Sequence, residues 1–187
     1  MLVAGCGVSP APEAPVIPGP TQAAASAPRI APPPVTPPTP PGSALPAFAC
    51  ADTTGGRTGV ANVVAVRVSE QPGYDRFVMQ FDSLVPSYTV KRQSRPVFAL
   101  GPSGQTITLS GTAGVLLQVH SATGASTFTG PSDFTQAEYL VLKEARQTED
   151  YEGYVDWGMG LGSPACLRSF TLSSPPRLVV DFALPAS

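Results

Sequence analysis

An all-β fold is what this sequence predicts: a β-sandwich of about nine to ten mainly antiparallel strands, preceded by a disordered Pro-rich N-terminal tether. Three observations carry the reading. From Val60 onward, short apolar runs are separated by Gly, Pro, Ser and Asp, the punctuation of sandwiches and barrels. Within those runs the apolar residues recur every second position, which suits half-buried strands rather than helices. Ahead of them, fourteen of the chain's 23 prolines fall between Pro10 and Pro46. That stretch has too much proline for helix or sheet and too little apolar periodicity for a core.

The elements follow in order. Val63–Val68 is strongly β-branched and is expected to place Val64, Val66 and Val68 on one face, opposite Arg67. Gln71-Pro72-Gly73 turns the chain. Arg76–Asp82 then alternates, with Phe77, Met79 and Phe81 facing inward and Arg76, Val78 and Gln80 outward. Strands are expected at Ser87–Lys91, Val97–Leu100, Gln105–Leu109 and Val115–His120, with Gly101-Pro102-Ser103-Gly104 as a turn. Glu138–Gln147 has a composition that also suits a helix; Tyr139–Ala145 is read as strand. Tyr154–Met159, Leu167–Leu172 and Arg177–Phe182 complete the set. Asp75–Asp82 and Pro176–Phe182 each carry an arginine entering an apolar strand and an acid near its exit. They are either pseudo-symmetric partners in two facing sheets or two generic strands.

The domain reading is residues 1–6 as the remnant of a lipoprotein signal, 7–46 as a Pro/Ala/Thr-rich linker, and 47–187 as the folded domain. Val3-Ala4-Gly5-Cys6 has the form of a bacterial lipobox, with Cys6 as the lipid attachment site. Only Met1 to Gly5 precede Cys6, with no Lys or Arg, so the basic and apolar regions of a signal peptide are expected from an upstream start or a trimmed chain. The expected address is extracytoplasmic, lipid-anchored to the cell membrane and facing the wall. Between Gly7 and Ala49 only Glu13 and Arg29 are charged. In polyproline geometry, at about 3.1 Å per residue, such a segment reaches roughly 120 Å at most, enough to lift a domain off a membrane.

Charged residues make up 13 % of the chain, well below the usual quarter, and the formal net charge is −2. Lys and Arg are scattered, which argues against nucleic acid as a partner and against a basic grip on anionic lipid. Membrane contact is expected through the N-terminal lipid only. With Cys6 lipidated, Cys50 and Cys166 remain as an even pair outside the cytoplasm, either disulfide-bonded or two buried thiols.

No residue pattern names a reaction, so no catalytic residue, metal site or cofactor is expected. His120 ends a strand with no nucleophile pattern around it, and two cysteines with one histidine do not complete a zinc site. The densest carboxylate group is Glu149, Asp150, Glu152 and Asp156, beside Tyr151, Tyr154 and Trp157. Carboxylates near aromatic rings suit sugar chemistry. On a strand starting at Glu152, a period of two places Glu152, Tyr154 and Asp156 on one face and Val155, Trp157 and Met159 on the other. Trp157 therefore reads as core. The candidate ligand-binding residues are Glu152, Tyr154 and Asp156, able to bond sugar hydroxyls, and Arg76 and Arg177, whose guanidiniums can grip a peptide-stem carboxylate. The alternative for each is a structural ion pair or a solvated strand.

Three segments carry a family resemblance. They are Gly73-Tyr74-Asp75-Arg76-Phe77-Val78 with Phe81-Asp82 and Tyr88; Asp150-Tyr151-Glu152-Gly153-Tyr154-Val155-Asp156-Trp157 with Gly160-Leu161; and Pro175-Pro176-Arg177-Leu178-Val179-Val180-Asp181. In this order they resemble the AMIN-like family of bacterial envelope proteins, which is related to the AMIN domain. The resemblance implies a β-sandwich in a secreted or lipoprotein-type chain with this tail-then-domain layout. The related AMIN domain targets amidases and secretion machinery to the envelope and binds peptidoglycan; in these 187 residues neither an amidase nor a secretin domain accompanies the module. The expected function is a non-catalytic, membrane-tethered envelope module binding peptidoglycan or an envelope protein. The alternatives are a protein- or small-ligand-binding lipoprotein domain that does not touch the wall, and a glycan hydrolase.

Overall fold

The structure, a computed structural model, describes residues 45–184. The lipobox with Cys6 and almost all of the Pro-rich linker lie outside the described residues. Thirteen strands run in chain order: β1 (Thr53–Gly55), β2 (Ala61–Gln71), β3 (Tyr74–Phe81), β4 (Tyr88–Gln93), β5 (Val97–Leu100), β6 (Gln105–Thr108), β7 (Ala113–His120), β8 (Ala122–Thr123), β9 (Asp133–Thr135), β10 (Leu142–Tyr151), β11 (Tyr154–Leu161), β12 (Cys166–Ser173) and β13 (Pro176–Ala183). A six-stranded sheet has the order β1-β4-β7-β11-β10-β9, a five-stranded sheet the order β12-β13-β3-β2-β8, and β5 pairs with β6 as a separate hairpin. All pairings are antiparallel except β2 with β8. The all-β sandwich predicted from alternation is the observed fold.

The core is the layer between the two sheets. Phe77, Met79 and Phe81 of β3, Leu178, Val180 and Phe182 of β13, and Val115, Leu117 and Val119 of β7 are all buried there. Trp157 of β11 is fully buried, with its ring 5.4 Å from Phe77 across the sandwich and 6.2 and 6.0 Å from Phe128 and Phe134. Phe77, Met79 and Phe81 face inward and Trp157 is core, as alternation predicted.

Two strand expectations need correction. In β2 a register shift between Val63 and Ala65 inserts one extra residue. Val63 therefore takes the core position that uniform alternation assigns to Val64, while Val66 stays inward and Val68 packs against the core. A single bulge moves one side of a strand by one residue, so period-two reading fails there. The strand expected at Tyr139–Ala145 begins instead at Leu142 and runs to Tyr151. It is anchored by Asp75, whose buried carboxylate accepts the backbone N–H groups of Val141 and Leu142 at 2.5 and 2.7 Å.

Two tight turns set the functional surface. β2 and β3 connect through Pro72 and Gly73, where φ of 84° at Gly73 suits a residue without a Cβ. β10 and β11 connect through Glu152 and Gly153, with Tyr151 and Tyr154 paired across the end. Both turn residues have positive φ, 48° and 81°, as a two-residue turn that follows the strands' right-handed twist requires.

Candidate functional site

The outer faces of both sheets hold the predicted site residues, and they do not form one site. On the five-stranded sheet, β12, β13 and β3 align Arg168, Asp181 and Arg76 as direct cross-strand partners. Asp181 is fully buried and accepts from Arg76 Nε and Nη2 at 2.7 and 2.9 Å and from Arg168 Nε at 2.7 Å. The hydrogen bond that Arg76 donates to Asp181 is the largest influence on its guanidinium and raises its pKa against the opposing effect of burial. Both guanidiniums also stack on rings: Arg168 lies 4.4 Å from the Phe48 centroid and 4.8 Å from Tyr74, and Arg76 lies 5.5 Å from Tyr74 and 5.6 Å from Phe170. The fork of Arg76 is thus occupied within the fold.

Arg177 sits elsewhere. β3 and β13 are antiparallel neighbours in one sheet, with Asp181 opposite Arg76 and Arg177 opposite Gln80. The two look-alike stretches are therefore not partners in facing sheets. Antiparallel pairing puts their arginines at opposite ends of the same face, and no common grip on one carboxylate results. Arg177 Nε donates to the Pro175 carbonyl at 3.3 Å.

The acidic set is split by the β10–β11 turn. Glu152 lies in the turn, Tyr154 opens β11 and is 44 % exposed, and Asp156 is 6 % exposed. Uniform alternation from Glu152 assumes extended backbone there, and the left-handed turn breaks it. Asp156 does point away from the core, since Val155, Trp157 and Met159 take the inward side, but it is enclosed by its own face.

That enclosure is built from four strands. Thr89 of β4, Gln118 of β7, Asp156 of β11 and Glu149 of β10 are successive cross-strand partners and form one rung. Gln118 Nε2 donates to Asp156 Oδ2 at 2.9 Å, and Lys91 Nζ donates to Gln118 Oε1 at 3.3 Å. Asp156 Oδ1 and Thr89 Oγ1 are buried without a hydrogen-bond partner. Desolvation pushes the Asp156 carboxyl above the usual carboxylate range and neighbouring Glu149 adds to this; the Gln118 bond, His120 and Lys91 oppose it.

The next rung is aromatic. His120 pairs with Tyr154, and Tyr154 with Tyr151, which is 52 % exposed. The His120 and Tyr154 rings meet edge to face at 5.0 Å. Beside them a cleft of about 380 Å³ is walled by His120–Thr123, Glu152–Tyr154 and Val60. His120, Gln118 and Thr89 were not assigned to this site from sequence. Their signal is present in β7, where Gln118 and His120 interrupt the apolar face opposite Val115, Leu117 and Val119, but their convergence on Asp156 depends on strand order.

Residues 61–184 match the AMIN-like domain. The chain belongs to the AMIN-like family. Among curated proteins none matches it. Membership makes this AMIN-like protein an extracytoplasmic, peptidoglycan-associated envelope module, of a kind that in general binds rather than catalyses. Two structural features bear on that setting. Cys50 and Cys166 are disulfide-bonded, tying the segment before β1 to the start of β12. No helix among the described residues is long and apolar enough to cross a membrane.

Proposed function

We propose that this AMIN-like protein is a non-catalytic envelope module, anchored through lipid on Cys6, that binds peptidoglycan through its folded domain at the end of the residue 7–46 tether. The observation that carries the reading is the AMIN-like match across 61–184, which covers the sandwich from β2 to the end of β13. Its surface chemistry agrees. The aromatic rung of His120, Tyr154 and Tyr151 beside the polar rung of Gln118, Asp156 and Glu149 offers rings and hydrogen-bonding groups on rigid strands. The Val3-Ala4-Gly5-Cys6 box and the proline-rich stretch after it supply an anchor and a spacer. The envelope-protein partner is the competing occupant.

Metabolic labelling with a clickable palmitate analogue tests the anchor. Wild-type precursor should carry label and fractionate with membranes, and Cys6→Ala should lose both. A Cys6→Ala protein that kept label and membrane association would remove the anchor from the proposal.

A further inference from the structure

We infer that the open edge of β12 is a docking site for an extended acidic segment of a partner protein, which adds to the five-stranded sheet as an antiparallel strand and sets a carboxylate against Arg57. The site shares no residue with the aromatic rung and stands apart from the peptidoglycan reading.

The two large sheets end in four edge strands. β1, β8 and β9 have two or three residues each, whereas β12 has eight. One side of β12 pairs with β13 in unbroken register. On the other side only Leu167 is paired: its N–H donates to the Ala49 carbonyl at 2.9 Å, and its carbonyl accepts from the Ala49 N–H at 2.8 Å. In an antiparallel strand the main-chain groups facing one side recur at every second residue, so those of Ser169, Thr171 and Ser173 face the same way as those of Leu167. No backbone group among the described residues bonds them there. Pro176 stands opposite Ser173, where this phase asks no N–H of β13. Natural proteins blunt long free edges with charge, proline, a bulge or a cover. Ser169–Ser173 holds no charged residue and no proline, and its pairing with β13 has no register shift. Ala49 shows in one rung that the edge accepts an antiparallel chain.

The same stretch walls a cleft. Thr171 and Ser173 lie on the side of β12 that Leu167 turns to the core, yet both are exposed. With Ser83, Arg57 and the core-side residues Leu84 and Val85 they line a space of about 400 Å³. The Arg57 N–H donates to the Val85 carbonyl at 3.0 Å, which fixes its backbone, while its guanidinium enters none of the ion pairs among the described residues. No acid lines the cleft. Asp82, next to Ser83, accepts from Asn62 and from the Ser83 hydroxyl. A free edge selects an extended chain through its main-chain groups, and the unpaired guanidinium selects a carboxylate on that chain. A second copy paired through its own β12 would bring another Arg57 and no acid, so charge favours a different protein.

The test is titration of the full chain with a capped heptapeptide of alternating valine and glutamate, read by NMR and by hydrogen exchange of the Thr171 and Ser173 amides. These amides should exchange freely alone and about tenfold or more slowly at saturation. Replacing the glutamates by glutamine should weaken binding several-fold. Arg57→Gln should weaken the glutamate peptide by the same factor and leave the glutamine peptide unchanged. Thr171→Pro removes an N–H that β13 does not use, so it should fold and lose binding; Tyr154→Ala should bind as wild type. No binding at millimolar peptide overturns the site, as does binding that leaves both amides unprotected or is indifferent to Arg57→Gln. Protection already present without peptide also overturns it, since the edge is then covered by this chain's own linker or by a second copy.

Discussion

Asp181 holds two arginines at once. With Arg76 and Arg168 each 2.7 Å away and the carboxylate fully buried, removing the acid leaves two cations facing each other with no counter-charge. Breaking a buried pair from one side typically costs about 3–5 kcal/mol. Asp181→Ala should lower stability by that order in urea melts, and Asp181→Ala combined with Arg168→Met should recover part of it. A fully stable Asp181→Ala protein would mean that aromatic stacking on Phe48, Tyr74 and Phe170 alone holds the guanidiniums. Asp156 behaves in the opposite sense. Burial raises its folded pKa, so the native state takes up a proton before the unfolded chain does. Its ionised form opposes folding at neutral pH, and that opposition is relieved as pH falls through the raised folded value toward the unfolded value of about 3.9. Asp156→Asn should therefore be at least as stable as wild type at pH 7, and wild type should gain on it as pH falls through that window. Melts across pH check the sign.

At the scale of elements, β3 is the strand most directly readable from sequence. Phe81 is buried at the core and Val78 is half-buried on the outer face. Phe81→Ala should cost about 3–5 kcal/mol and Val78→Ala much less; equal melting temperatures would contradict the face assignment. The ten expected strands are all present, and the three others, β1, β8 and β9, have two or three residues each. So short a segment has no alternation to detect. β10 lies outside its predicted bounds because its pairing with β11 shifts register twice, between Leu142 and Glu144 and between Gln147 and Glu149. Each shift resets the period of two, and the remaining composition, rich in Lys, Glu and Arg, mimics a helix. The β5–β6 hairpin was found as strands, but its role was not legible. A Cβ on Gly158 would come within 2.7 Å of Phe98, and one on Gly114 within 3.0 Å. Those glycines leave the outer face of β11 and β7 flat so that Phe98 lies on it, which closes one end of the face and leaves the Tyr154 end open. Likewise Asp156 was recognised as a candidate but not as buried, because Thr89, Gln118 and Glu149 come from three other strands.

On the scale of the whole molecule, the disulfide joins Cys50 to Cys166 across 116 residues of sequence and closes most of the domain into one loop. Loop-closure entropy for a loop of that length corresponds to about 4–5 kcal/mol. The oxidised protein should weigh two hydrogens less than the reduced one, and Cys50→Ser with Cys166→Ser should lower the melting temperature clearly; two freely reactive thiols in the native exported protein would exclude the bond. Strand identity and the sandwich were accessible from sequence because they follow from local periodicity. The rung of Thr89, Gln118, Asp156 and Glu149 was not, because it exists only once sheet order is set. On the proposed function, the folded domain carries the affinity for the wall. Co-sedimentation of the full chain with purified, protein-free sacculi at low micromolar concentration measures it most directly. Saturable pelleting is expected, which Tyr154→Ala in the aromatic rung reduces about tenfold and Arg67→Ala does not. Wild-type protein left entirely in the supernatant at low and physiological salt would contradict it.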